Sequence, residues 1–229
     1  MKTAISKLLF LTALVFTFSC NKNSDRNPEP GNTQTGTGSI SSKSINLNSF
    51  SEIEITNYCN VEIDTGATNK VEYSDYDNLI QYLKFEVVGN KLVVKTIPEI
   101  ASITNSKAKA KIYVAGSLTG LFISGSGNMT LANSFNGISQ CAVSGSGNLV
   151  ANENSTSTNM TTTISGSGNV DILKITSQSA NCTISGSGSI SIAVINDLTA
   201  NVSGSGSISY LGNPSVSKNI TGTGNIIKL

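Results

Sequence analysis

The stretch Ser-Gly-Ser-Gly occurs at residues 124–127, 144–147, 165–168, 185–188 and 203–206, and a variant, Thr221-Gly-Thr-Gly224, closes the series. The first glycines fall at 125, 145, 166, 186, 204 and 222, so the unit recurs every 18 to 21 residues. A unit of this length holds two or three short strands, too few to bury a core alone, and neighbouring units must stack. Two residues before the first glycine stand Ile123, Val143, Ile164, Ile184, Val202 and Ile220; four residues after it stand Met129, Leu149, Val170, Ile190, Ile208 and Ile226. The intervening positions are polar, with Asn128, Asn148, Asn169, Ser189, Ser207 and Asn225 forming one column. Such alternation describes strands with one buried face. The predicted fold is an all-β parallel β-helix, with Ser/Asn ladders along one edge. Its glycines are expected at a bend that needs either φ > 0 or close backbone approach. Polar segments such as residues 152–159 are expected to protrude as loops.

Composition removes several kinds of chemistry. The 229 residues include no histidine, which excludes Ser-His-Asp and Cys-His nucleophiles and histidine-based zinc sites. Net charge is +1, and Arg26 is the single arginine, so the basic footprint of a nucleic-acid binder is missing. Asp64-Thr-Gly66 has the sequence of an aspartic-protease signature, but that chemistry needs two aspartates sharing a proton and the chain has one copy, which reads as a strand-end turn. The glycine motifs lack the strand-to-helix context and lysine of a phosphate loop. Residues 116–229 hold only Glu153, Asp171 and Asp197 as acids, too few for a ladder of calcium sites. The sole acidic cluster, Glu62, Asp64, Glu72, Asp75 and Asp77, reads as a solvated face, and its residue types leave cation binding open. A polysaccharide-cleaving enzyme would have to draw its carboxylates from this cluster, Asp64 and Asp75 being the candidates. No catalytic, cofactor-binding or metal-ligating residue is assigned, and neither a cofactor nor an enzymatic activity is expected.

Residues 1–19 read as a signal peptide: Lys2 and Lys7 precede the 11-residue apolar run 8–18, which is too short to span a bilayer. Ser19-Cys20 resembles the end of a bacterial lipobox, with Thr17 where leucine usually stands, and Cys20 is the predicted lipid-attachment residue. Residues 20–44 are nearly devoid of apolar side chains and are expected to form a flexible tether between membrane and folded domain.

Residues 45–115 lack the glycine motif but alternate in Ile53-Glu-Ile55, Val61-Glu-Ile63, Leu83-Lys-Phe85-Glu-Val87 and Lys107-Ala-Lys-Ala-Lys-Ile-Tyr-Val114, the last with its lysines towards solvent. Gly89-Asn90 predicts a hairpin, and residues 75–81 a short helical turn. This half is expected to supply opening coils that cap one end of six glycine-motif coils spanning 116–229. Cys141 and Cys182 fall in one inward column two coils apart, roughly 9–10 Å by strand spacing and beyond the reach of a disulfide. They are expected to be buried thiols, with Cys59 left over.

Phe50-Ser-Glu-Ile-Glu-Ile55, Asp77-Asn-Leu-Ile80, Phe85-Glu-Val-Val-Gly-Asn-Lys-Leu92, the repeated Ser-Gly-Ser-Gly-Asn, Tyr210-Leu-Gly-Asn-Pro214 and Thr221-Gly-Thr-Gly-Asn225 together resemble the auto-transporter adhesin, head GIN domain family, over residues 45–229. The resemblance implies a right-handed parallel β-helix in an exported protein or lipoprotein of Bacteroidetes-type bacteria, and it carries no catalytic residues. The reading is an outer-membrane lipoprotein on the cell surface or the periplasmic face. It would act as an adhesin towards a glycan or protein, with the membrane as partner through its lipid and nucleic acid excluded. The alternative is a periplasmic scaffold assembling end to end through residues 225–229, and the weaker alternative is the polysaccharide-acting enzyme.

Overall fold

The computed structural model describes residues 33–98 and 100–229, so Cys20 and the signal peptide lie outside the described residues. In chain order, the strands before the first glycine motif are β1 (Thr33–Thr35), β2 (Ile40–Asn46), β3 (Glu52–Ile55), β4 (Asn60–Thr65), β5 (Lys70–Tyr76), β6 (Leu83–Val88), β7 (Lys91–Thr96), β8 (Ser102–Thr104), β9 (Lys109–Val114) and β10 (Gly120–Ile123). They are followed by β11 (Met129–Leu131), β12 (Gln140–Val143), β13 (Leu149–Ala151), β14 (Ser155–Ile164) and β15 (Val170–Ile184). The last are β16 (Ser189–Val202), β17 (Ser207–Leu211), β18 (Ser215–Ile220) and β19 (Asn225–Lys228).

The expected all-β parallel solenoid is the architecture found. One face stacks β7, β3, β10, β12, β14, β15, β16 and β18 in parallel. A second stacks β9, β4, β11, β13, β15, β16, β17 and β19. Strands β15 and β16 are long enough to turn a corner and serve both faces. The predicted inward positions form continuous columns, such as Ile55, Ile123, Val143, Ile164, Ile184 and Val202, all in register and nearly inaccessible. A parallel stack buried on one side gains stability from this continuous apolar spine, at roughly 1.5–3 kcal/mol per large aliphatic side chain.

The stack does not follow chain order. The coil made by β3 and β4 lies between β10 and β11 on one side and β7 and β9 on the other. Antiparallel strands close that end: β6 pairs with β7, β5 with β9, and β2 with β5. Gly89, at φ +61, turns the β6–β7 hairpin as its sequence predicts. The helical turn forms at Ile80–Tyr82, while residues 75 and 76 complete β5.

Two expectations are corrected. The tether cannot extend to residue 44, because Thr33–Thr35 and Ile40–Asn46 are strands, paired with β8 and β5 respectively. Polar composition does not forbid this, since an edge strand is held by main-chain ladder bonds and here places only Ile45 against Val71 of the core. Residues 155–159, expected in a protruding loop, begin β14, and Ser155 and Ser157 point inward. Nor do the motif glycines adopt positive φ, a conformation confined to Gly38, Gly89, Gly137 and Gly212 among the glycines described. Close approach between coils is what requires them: a Cβ at Gly145 would meet the carbonyl of Gly125, and one at Gly166 the carbonyl of Gly145.

Candidate functional site

Outside the sheet, the asparagine column forms a hydrogen-bonded ladder. The Nδ2 of Asn128 donates to Oδ1 of Asn60 (2.8 Å), that of Asn148 to Asn128 (2.9 Å), and that of Asn169 to Asn148 (2.9 Å). Each Oδ1 also accepts a backbone N–H from the next coil, at 3.1, 3.0 and 3.1 Å, and the N–H of Ser189 completes the series at Asn169 (2.9 Å). Because a backbone N–H can only donate, it fixes which end of each amide is oxygen. All four side chains therefore point the same way. The ladder ends at Asn60, whose Nδ2 has no acceptor among the described residues.

Asn60 stands where the parallel stack meets its antiparallel cap. Strands β2, β5, β9, β4 and β11 lie side by side there, and their outer face is hollowed into a groove of about 730 Å³. Alternation places two rows of side chains on the groove floor: Ser42, Ser74, Lys109, Asn60 and Asn128, and beside them Ser44, Glu72, Lys111, Glu62 and Thr130. Hydroxyls, amides, ammonium groups and carboxylates thus converge on a volume typical of ligand sites.

The predicted acidic cluster is divided by the sheet. Glu62 and Asp64 bind Lys111 Nζ at 2.8 and 2.9 Å, and Glu72 binds Lys70 at 2.7 Å. These pairings hold the Lys111 ammonium well above its ordinary pKa, and hydrogen bonds from Lys111 and Asn133 draw the Asp64 carboxyl below its own. Asp75 faces the opposite way and is fully buried, accepting hydrogen bonds from Ser106 Oγ (2.7 Å) and from the backbone N–H groups of Lys107 and Tyr76 (2.8 Å each). It thereby fixes where β9 begins, and with it the position of Lys109. Asp77 lies exposed beyond β5. Asp64 and Asp75 accordingly do not face one another as a hydrolytic pair would. Among the described residues no group of three His, Cys, Asp or Glu could hold a metal ion.

Cys141 and Cys182 flank Thr162 in one inward column and, like Cys59, are free and buried. Burial pushes all three thiols up to about 12, so none supplies a thiolate nucleophile at neutral pH.

Sequence reasoning missed Lys109 and Asn60 as partners, since the lysine reads as an ordinary solvent-facing residue. One signal was available. Ile55, Asn60, Val61 and Ile63 repeat the spacing of Ile123, Asn128, Met129 and Leu131, which marks residues 50–65 as a further coil without the motif glycines.

Residues 49–214 match the family described as "Putative auto-transporter adhesin, head GIN domain". No curated protein matches the chain. Among solved structures it is similar to a "putative adhesin" from Bacteroides fragilis NCTC 9343, with a TM-score of 0.66 at 18% identity over 85% of this chain and 99% of that one. It is also similar to one from Parabacteroides merdae ATCC 43184, with a TM-score of 0.54 at 19% identity over 86% and 99% of the two chains. A third, from Parabacteroides distasonis ATCC 8503, has a TM-score of 0.54 at 20% identity over 86% and 100%. At these identities the likeness is one of fold.

Proposed function

The chain belongs to the head GIN domain family of auto-transporter adhesins, and from that membership we propose that it is a non-enzymatic binding module of the bacterial outer membrane that holds glycans in the groove between cap and solenoid. The observation that carries this reading is the groove floor. Ten side chains in two registered rows all end in hydrogen-bonding groups, a surface matched to a ligand dense in hydroxyls. Protein partners draw most of their affinity from aromatic or arginine anchors seated in desolvated pockets, and neither row offers one. Rigid strands position the groups in advance, which lowers the entropic cost of binding.

Ser74→Tyr would fill the groove from β5 with a residue suited to strands. Glycan-array binding should fall by about tenfold or more, equivalent to about 1.4 kcal/mol. Undiminished binding by the folded variant would remove the groove from this function.

Export by residues 1–19 and diacylation of Cys20 would hold the domain at the membrane, since two acyl chains give stable anchoring where one does not. Cys20→Ala should move the protein from the membrane fraction to the soluble fraction. Retention in the membrane fraction would refute lipid anchoring at this residue.

A further inference from the structure

We propose that the groove selects negatively charged glycans, seating a carboxylate or sulfate group between Lys109 and the terminal amide of Asn60. This inference rests on the reading of the groove as a glycan site and specifies which glycans it prefers.

Charge matching gives the first argument. The carboxylates of Glu62 and Asp64 share the ammonium of Lys111, and that of Glu72 pairs with Lys70. Lys109 makes no ion pair among the described residues, and its neighbours in the row are the neutral Ser74 and Asn60. Lys109 is therefore the one charged group in the row that holds Asn60, and its charge is positive. Lys107, also without an ion pair among the described residues, lies with Lys109 in an adjoining hollow of about 380 Å³.

The second argument is the polarity of the ladder. Four amides point the same way, three of their oxygens receiving two N–H groups from the next coil and that of Asn169 receiving one, so their dipoles add as the peptide dipoles of a helix do. Hydrogen bonds in series also polarise one another. The positive end of this chain is Asn60 Nδ2, a donor with no acceptor among the described residues, on the strand next to Lys109 and in register with it. An ammonium and an oriented amide aimed at the same space recognise an anion, just as unsatisfied N–H groups at a helix start do.

Position gives the third argument. Asn60 and Lys109 line both the groove and the adjoining hollow. A chain-like ligand running from one to the other passes over them, its neutral hydroxyls falling on Ser42, Ser74 and Asn128.

The test is an array of matched glycans: a uronic-acid oligomer against its methyl ester, a sulfated galactan against the unsulfated one, and polyglutamate as an acidic peptide. The wild-type protein should prefer the acidic member of at least one pair by about tenfold, the size of one charge-assisted hydrogen bond. Which pair shows the preference separates carboxylate from sulfate. Lys109→Gln should bring the acidic-to-neutral ratio close to one. Asn60→Asp keeps the oxygen that accepts from Asn128 but replaces the free donor with a negative charge, and should reverse the preference. Acidic and neutral members bound equally, with Ser74→Tyr still weakening both, would overturn the charge inference and leave the groove reading intact. Binding insensitive to Ser74→Tyr would overturn the groove reading itself, and polyglutamate bound as tightly as the best glycan would overturn the choice of a glycan.

Discussion

Replacing Gly166 with alanine should destabilise the domain by about 3 kcal/mol or more, at the upper end of what overpacking costs. The melting temperature should fall by about 10 °C. The added methyl group would run into the carbonyl oxygen of Gly145 in the neighbouring coil. That oxygen cannot retreat, because it accepts the N–H groups of Ser167 (3.1 Å) and Gly168 (3.3 Å), and Gly166's own carbonyl in turn binds Ser187 N–H (3.1 Å). Making room for one methyl group would mean prising apart coils whose spacing, about 4.8 Å, is set by these bonds. Gly116 is the control. It has open space around its Cβ position and no positive φ, so Gly116→Ala should stay within about 0.5 kcal/mol of the wild type. Thermal melts of the two variants side by side test the idea, and equal stabilities would show that the motif glycines are not there for coil spacing.

The same contact explains what the sequence made legible and what it hid. Each motif glycine is dictated by the carbonyl of the coil it stacks on, so the signature appears only where such a coil already exists. In the coil of β3 and β4, the corresponding positions are Asn57 and Cys59, and they carry side chains. Beneath that corner the chain leaves the stack between β7 and β9. Asn57 and Tyr58 border a hollow of about 280 Å³ there, shared with Thr96, Ile100 and Ile103. Freed from the glycine requirement, the coil lost its label, and residues 50–65 read as part of an undifferentiated cap. Inward columns such as Val143, Ile164 and Ile184 were legible because period-two alternation depends on each strand alone. The groove was not, because Lys109 and Asn60 lie 49 residues apart in sequence and meet through a coil stacked out of chain order. The acidic cluster drew notice by composition, yet strand alternation sends Asp75 inside and Glu72 outside within four residues.

The wild-type domain should sediment as a monomer at all accessible concentrations, and the double variant Lys218→Val, Lys228→Ile should self-associate. Each lysine occupies an inward column at the last coil: Thr162, Cys182 and Ala200 lead to Lys218, and Ile172, Ile192 and Tyr210 lead to Lys228. Their ammonium groups fold over the open end. Lys218 Nζ reaches the Ile226 carbonyl (3.4 Å) and lies 5.7 Å from the Tyr210 ring, and Lys228 Nζ donates to Asn213 Oδ1 (2.5 Å). The rim around them is apolar and accessible: Ile220 is 44% exposed, Ile227 48% and Leu229 58%. With the outer edges of β18 and β19 unpaired among the described residues, such a rim would template further strands, and inward-pointing charge is a device that prevents it. A scaffold growing head to tail would press these lysines towards β2, where Lys43 stands in register with Tyr73, and like charges brought together cost several kcal/mol. Exchanging both lysines for aliphatic residues removes that penalty and adds roughly 1.5–3 kcal/mol of burial per side chain in any stacked dimer. Sedimentation velocity over a hundredfold concentration range decides the matter. Wild-type assembly that the double variant does not strengthen would restore the scaffold reading, whereas assembly by the variant alone would mean that the solenoid is terminated by charge and presents its groove as a single copy.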